Sequence, residues 1–198
     1  MCQFIETIQI NDGCICNLAY HTERFNKTRR TFWNDCSEIN LADFIRDYPS
    51  SGKIKCRIVY AQEVENVSFS NYSMREVNSL KLIVDDQIDY TYKSADRDHL
   101  NRLFLQKENA DDILIVRKGY LTDTSIANIA LFDGTKWYTP SHPLLKGTKR
   151  EELINKGVVE EKEIKAKDIY EYSKICIFNS MIDFNDICFV ISTETVHK

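Results

Sequence analysis

Residues 4–10 set Phe4, Ile5, Thr7, Ile8 and Ile10 around Glu6 and Gln9. That alternation predicts a strand. Asn11-Asp12-Gly13 is a strong hairpin turn, from which residues 14–18 return. Residues 21–33 contain no Gly or Pro and place Phe25, Thr28 and Phe32 at helical spacing, which predicts a helix. Asn40 predicts the cap of a second helix over 41–48, stopped by Pro49. Residues 54–61, 67–72 and 80–84 are rich in β-branched and aromatic side chains and predict strands. The first half therefore reads as an α+β unit built on a largely antiparallel meander.

Residues 86–92 form a polar crossover, which places a domain boundary there: a small N-terminal α+β domain over 1–88 and a C-terminal α+β domain over 89–198. Residues 96–108 predict a helix with Leu100, Leu103 and Phe104 on its apolar stripe. Residues 112–117 predict a buried strand, turned by Lys118-Gly119. Strands are expected over 122–132 and 137–139, joined at Asp133-Gly134. A loop over 145–150 feeds a helix at 151–156, and strands at 158–164, 175–179 and 187–191 complete the chain. There is no internal repeat and no low-complexity segment.

Composition narrows the function classes. With 198 residues, 43% of them hydrophobic, the chain can bury a sizeable core. The formal net charge of −4 argues against a dedicated nucleic-acid binder. No apolar run approaches a membrane span, and the first residues carry no basic, apolar leader, so the cytoplasm is the expected location. The seven cysteines are odd in number and irregular in spacing, which predicts reduced thiols used as small apolar residues. Cys14-Ile15-Cys16 has no second pair or nearby His to complete a zinc set, and the four histidines show no ligand spacing, so no metal is expected.

Two segments carry chemistry. Tyr92-Lys93-Ser94-Ala95-Asp96-Arg97 sets a lysine just before a helix, and Leu121 to Asn128 sets Asp123 on a downstream hairpin. A lysine amine can bind an aldehyde covalently, and a carboxylate can keep a pyridine nitrogen protonated. Pyridoxal phosphate needs that pair.

Four patterns, in shared order and spacing, carry a family resemblance. They are Phe4-Ile5-Glu6-Thr7 with Asn11-Asp12-Gly13 and His21-Thr22-Glu23-Arg24-Phe25; Lys93 to Arg97; Gly119 to Asn128; and Tyr138-Thr139-Pro140 leading to Leu145-Lys146-Gly147-Thr148-Lys149-Arg150. Over residues 4–187 the chain resembles the class-IV aminotransferases, the fold-type IV pyridoxal-phosphate enzymes, which include aminodeoxychorismate lyases and branched-chain and D-amino-acid aminotransferases. The resemblance implies an α+β, two-domain, D-amino-acid-aminotransferase-like fold with the cofactor in the cleft, and commonly a homodimer.

It also implies roles for individual residues. Lys93 matches the lysine that binds the cofactor and moves the substrate proton. Arg24 matches the arginine that grips the phosphate, and Gly147, Thr148 and Lys149 match the turn whose backbone N–H groups receive phosphate oxygens. Asp123 stands where the family usually has glutamate, one methylene longer, and Lys146 where it often has proline. Ser180 falls near the phosphate position, and Asn128 lines the cofactor pocket. Arg97, placed as in the lyases, and Tyr92 fall on the substrate side. The family normally carries further residues ahead of the Phe-x-Glu-Thr strand, so the chain reads as a shortened member. The activity implied is that of an aminodeoxychorismate lyase releasing pyruvate and 4-aminobenzoate, a folate precursor. The alternatives are amino transfer between an amino acid and a 2-oxo acid, or a non-catalytic binding relative.

Overall fold

The structure is a computed structural model and describes residues 2–34 and 36–198. The chain forms two compact units: Met1–Met74 with Tyr92–Asp96, and Arg75–Thr91 with Arg97–Lys198.

The first unit is a four-stranded antiparallel sheet covered by one helix. Its elements are β1 (Phe4–Asn11), β2 (Cys14–Ile15), α1 (Leu18–Phe32), β3 (Lys53–Tyr60) and β4 (Val64–Asn71), with strand order β2-β1-β3-β4. Asp12 and Gly13 both take positive φ, as a two-residue hairpin turn requires. The even positions of β1 face the core: Phe4, Ile8 and Ile10 pair across from Tyr60, Cys56 and Ile54. Phe25 of α1 closes that layer, its ring 4.4 Å from Tyr60. Burial pushes the Cys56 thiol up to about 12, so it behaves as an apolar group.

The predicted second helix is not formed. Asn40 does cap, its Oδ1 accepting the Ala42 N–H at 3.1 Å. Only the 3₁₀ turn Leu41–Asp43 follows, because Asp47 takes a positive φ and Pro49 bars the helical conformation at Tyr48.

Tyr92–Asp96 is stitched onto the same sheet. The Ile5 N–H donates to the Lys93 carbonyl and the Ala95 N–H to the Gln3 carbonyl, each at 2.9 Å. The Tyr92 ring packs edge-on against Phe32 at 4.8 Å and Phe4 at 6.2 Å.

The second unit holds β5 (Leu80–Val84), α2 (Asp98–Phe104), β6 (Asp112–Arg117), β7 (Tyr120–Thr124), β8 (Asn128–Phe132), β9 (Trp137–Pro140), α3 (Thr148–Asn155), β10 (Glu160–Lys162), β11 (Lys174–Asn179), β12 (Ile182–Val190) and β13 (Val196–His197). Two sheets result, of order β13-β5-β6-β7 and β10-β9-β8-β11-β12. The parallel pairing of β5 with β6 binds residues 80–84 into this unit. The partition therefore differs from a single boundary near residue 88: Arg75–Thr91 goes with the second unit and the Lys93 segment with the first.

Several predicted elements differ in extent. The expected strand over 122–132 is two strands, broken where the Thr124 hydroxyl accepts the Ile126 and Ala127 N–H groups. The helix expected over 96–108 is α2 followed by a 3₁₀ turn, Leu105–Lys107, that ends where Glu108 takes a positive φ. The strand expected at 158–164 shrinks to Glu160–Lys162, and a 3₁₀ turn at Ala166–Glu171 was not foreseen. The cysteine reading is corrected too: Cys176 and Cys188 lie directly opposite on β11 and β12 and form a disulfide. The pairing is invisible in sequence because only the hairpin register brings the two together.

Candidate active site

In the first unit the site is built around a carboxylate in an apolar row. Glu6 occupies an even, core-facing position of β1 between Phe4 and Ile8, opposite Ile58, and is fully buried. Helix α1 supplies its partners three residues apart, on one face. His21 Nδ1 donates to Glu6 Oε2 at 2.6 Å. Arg24 donates from Nε to Oε1 at 2.9 Å and from its terminal nitrogen to Oε2 at 2.5 Å. Burial by itself would raise the Glu6 pKa; the Arg24 guanidinium and the His21 hydrogen bond override it and hold the carboxyl at about 2. Burial drives His21 the other way, below its ordinary value, helped by the charges of Arg24 and Lys93 against the pull of Glu6. At neutral pH the group is an ionised carboxylate, an arginine cation and a neutral imidazole whose Nδ1 carries the proton. Lys93 is half-buried in the same unit, and its carbonyl is bonded to the residue preceding Glu6.

In the second unit the corresponding centre is Asp123, at the end of β7. It is 5% exposed. Its Oδ1 accepts the Asn128 side-chain amide at 2.8 Å and its Oδ2 the Leu145 N–H at 2.9 Å. The Asn128 amide donates again to the Leu145 carbonyl at 2.9 Å. Burial raises the Asp123 pKa to about 6 against the lowering effect of those hydrogen bonds and of Arg150. A backbone hydrogen bond from Leu144 adds to these, so the carboxylate is held on several sides. The same amide fixes the turn before α3, because a Cβ on Gly147 would lie 2.1 Å from Asn128 Oδ1. Only glycine fits there.

Other predicted residues fall around this network. Arg97 donates to the Ser125 carbonyl at 2.7 Å and to the Tyr90 hydroxyl at 3.2 Å, clamping the break between β7 and β8. Asn179 donates to the Ile126 carbonyl at 3.2 Å on the same break, next to Ser180. Thr148 is buried at the first position of α3, where backbone N–H groups lack helical partners. The Lys149 ammonium is engaged by Glu152 at 3.0 Å and Asp183 at 2.9 Å, so an anion at this turn would meet its backbone rather than its side chain.

The structure thus brings Arg24, Tyr92 and Lys93 together in one unit, and Arg97, Asp123, Asn128, Gly147, Thr148, Lys149 and Ser180 in the other. The sequence reading assigned no role to Glu6 or His21. Glu6 was findable, as the one charge on the core-facing side of an otherwise apolar alternation. Each unit carries groups of the kind pyridoxal phosphate requires: in the first an amine and a guanidinium held in a fixed plane, in the second a buried carboxylate and a helix start shaped around glycine. Among the described residues no group of His, Cys, Asp and Glu could hold a metal ion. Nor is any helix there long and apolar enough to cross a membrane.

Comparison with known proteins agrees. Residues 3–188 match the family model for amino-transferase class IV. A Haemophilus influenzae protein of uncharacterised function is 34% identical over 185 residues, covering 91% of this chain and 98% of the relative. A solved Haemophilus somnus structure, provisionally assigned as a 4-amino-4-deoxychorismate lyase, superposes with a TM-score of 0.87 at 33% identity, covering 92% of this chain and 98% of that one. A hypothetical aminotransferase from Mycobacterium tuberculosis, solved with pyridoxal phosphate, shares the fold with a TM-score of 0.77 at 17% identity, over 98% of this chain and 81% of its own. Taken with the site geometry, the family match and the solved relative show that the chain belongs to the class-IV aminotransferase family of pyridoxal-phosphate enzymes.

Proposed function

We propose that the protein is an aminodeoxychorismate lyase that releases pyruvate and 4-aminobenzoate. In this reading it acts in the cytoplasm on a small amino substrate, as a homodimer. Pyridoxal phosphate, when bound, supplies an electron sink for carbanion chemistry on such a substrate. Lys93 Nζ would be the amine for the aldehyde and the group that moves the substrate proton. Arg24 and the backbone N–H groups at 148–149 bind the phosphate. Asp123 holds the proton at the ring nitrogen, and Asn128 keeps that carboxylate in place. Arg97 and Tyr92 are assigned to the substrate side.

The observation that carries the enzyme reading is the anchoring of the Lys93 segment to the start of β1, the strand whose Glu6 fixes Arg24. Aldehyde lysine and phosphate arginine are thereby held by one sheet. The choice of lyase over transferase is supported by the likeness to the Haemophilus somnus protein.

The test is an incubation of wild type and Lys93→Ala with pyridoxal phosphate. The wild type should show a visible absorbance band that borohydride fixes to the chain, and the variant should not. Loaded wild type should then release pyruvate and 4-aminobenzoate in equal amounts from aminodeoxychorismate. Amino transfer from an amino acid to a 2-oxo acid, with no pyruvate from aminodeoxychorismate, would replace the lyase by the transferase. No band at all would leave a binding protein.

A further inference from the structure

Glu6 is an expensive residue for its position. It shares the core-facing side of β1 with Phe4, Ile8 and Ile10, and the strand opposite contributes Cys56, Ile58 and Tyr60. An apolar side chain would suit that row. Burying an ion costs several kcal/mol before any partner is counted, and buried ion pairs are often replaceable by apolar residues without loss of stability. Stability alone gives no reason for a carboxylate here.

What the carboxylate does is geometric. It takes the Nε edge of Arg24 with both oxygens, at 2.9 and 2.5 Å, which fixes the guanidinium plane as well as its position. His21, fully buried, donates to Oε2 at 2.6 Å and prevents the carboxylate from turning out of that plane. The α1 backbone sets the spacing of the two partners, and the Arg24 side chain is only 15% exposed.

We propose that Glu6, held by His21, is the positioning residue for Arg24: it orients the guanidinium for the phosphate of the cofactor, so that the pair sets selectivity for the phosphorylated form. The proposal rests on the pyridoxal-phosphate reading above, with Arg24 as phosphate ligand.

The test compares two probes, pyridoxal phosphate and pyridoxal, which share the aldehyde and ring and differ in the phosphate. Dissociation constants for both are titrated by visible absorbance on wild type, Glu6→Gln, His21→Ala and His21→Asn, after circular dichroism confirms the fold of each. Glu6→Gln should weaken pyridoxal phosphate by about 10-fold or more, the scale of one misaligned charge-assisted contact, and leave pyridoxal nearly unchanged. His21→Ala should do the same to a smaller extent. His21→Asn, which keeps a donor near the Nδ1 position, should lose less than His21→Ala. If Glu6→Gln fails to fold, the two His21 variants decide the matter alone.

Equal weakening of both probes would show a merely structural role and overturn the proposal, as would no change in either. A wild type that binds neither probe would instead sink the cofactor reading itself. The two failures are therefore separable.

Discussion

Gly147→Ala tests how closely the turn before α3 is packed against Asn128. The backbone at Gly147, φ −72° and ψ 145°, suits any residue, so the substitution carries no conformational strain. The obstacle is Asn128 Oδ1, which a new Cβ would meet at 2.1 Å, with Asn128 Cγ at 3.3 Å. Asn128 is 5% exposed and has no solvent to move into. Its displacement would break the hydrogen bonds to Asp123 and to the Leu145 carbonyl. A bond to a charged group contributes about 1.5–3 kcal/mol and a neutral one about 0.5–1.5. Against this, glycine to alanine returns roughly 0.4–1 kcal/mol by restricting the unfolded chain. The net expectation is a loss of about 2–3 kcal/mol in urea unfolding of the cofactor-free protein. A double-mutant cycle with Asn128→Ala isolates the cause: in that background the Cβ has room, and Gly147→Ala should become neutral or stabilising. An equal loss in both backgrounds would refute the clash as its origin.

The remaining predictions concern charge and backbone support. Asp123 titrates higher in the folded state than unfolded, so its contribution is present below its unfolded value of 3.8 and lost as pH rises through about 6. The stability of wild type relative to Asp123→Asn should therefore rise by on the order of 3 kcal/mol from pH 7.5 to pH 4 in paired urea titrations, and a flat difference would exclude the raised pKa. Glu6 has the opposite sign: its contribution is present above its unfolded value of 4.5 and lost as pH falls towards 2. Relative to Glu6→Gln, wild type should lose on the order of 3 kcal/mol over that window. Arg97→Leu leaves the buried Ser125 carbonyl without its donor and should cost about 1–3 kcal/mol in the cofactor-free protein, read as a lower urea midpoint. Asn40→Ala removes the cap at Ala42 and should cost only about 0.5–1 kcal/mol, since the turn it supports is three residues long.

What could be read without coordinates followed from strong local rules. The alternation in β1, the Asn11-Asp12-Gly13 turn and the apolar run of β6 are short-range signals that tertiary structure reinforces. The failures came where a local signal was real and its range was not. Asn40 caps as expected, yet Asp47 and Pro49 cut the helix to one turn. Thr122 to Phe132 has strand propensity throughout, yet the Thr124 hydroxyl folds the chain at 125–127 and sends the two halves into different sheets. Of the proposed site residues, Lys93, Arg24, Asp123 and the Gly147 turn were picked out by motif. Glu6 and His21 were passed over because their meaning depends on facing each other across a helix and a strand, fifteen residues apart in sequence. The Asn128 contact with Gly147 is of the same kind.

The five residues around Lys93 belong to the first unit by hydrogen bonding, although the polypeptide has already left that unit at Met74 and leaves it again after Asp96. The two units are thus interleaved along the chain, and no single cut yields both intact. A fragment ending near residue 74 would leave the Ile5 N–H and the Gln3 carbonyl unsatisfied and the rings of Phe4 and Phe32 uncovered by Tyr92. A fragment starting at residue 75 would carry the lysine on a segment whose backbone partners, Gln3 and Ile5, are missing. Limited proteolysis should accordingly release no stable piece that retains Lys93 in its native setting, and the lysine becomes ordered only when residues from both ends of that long excursion have met.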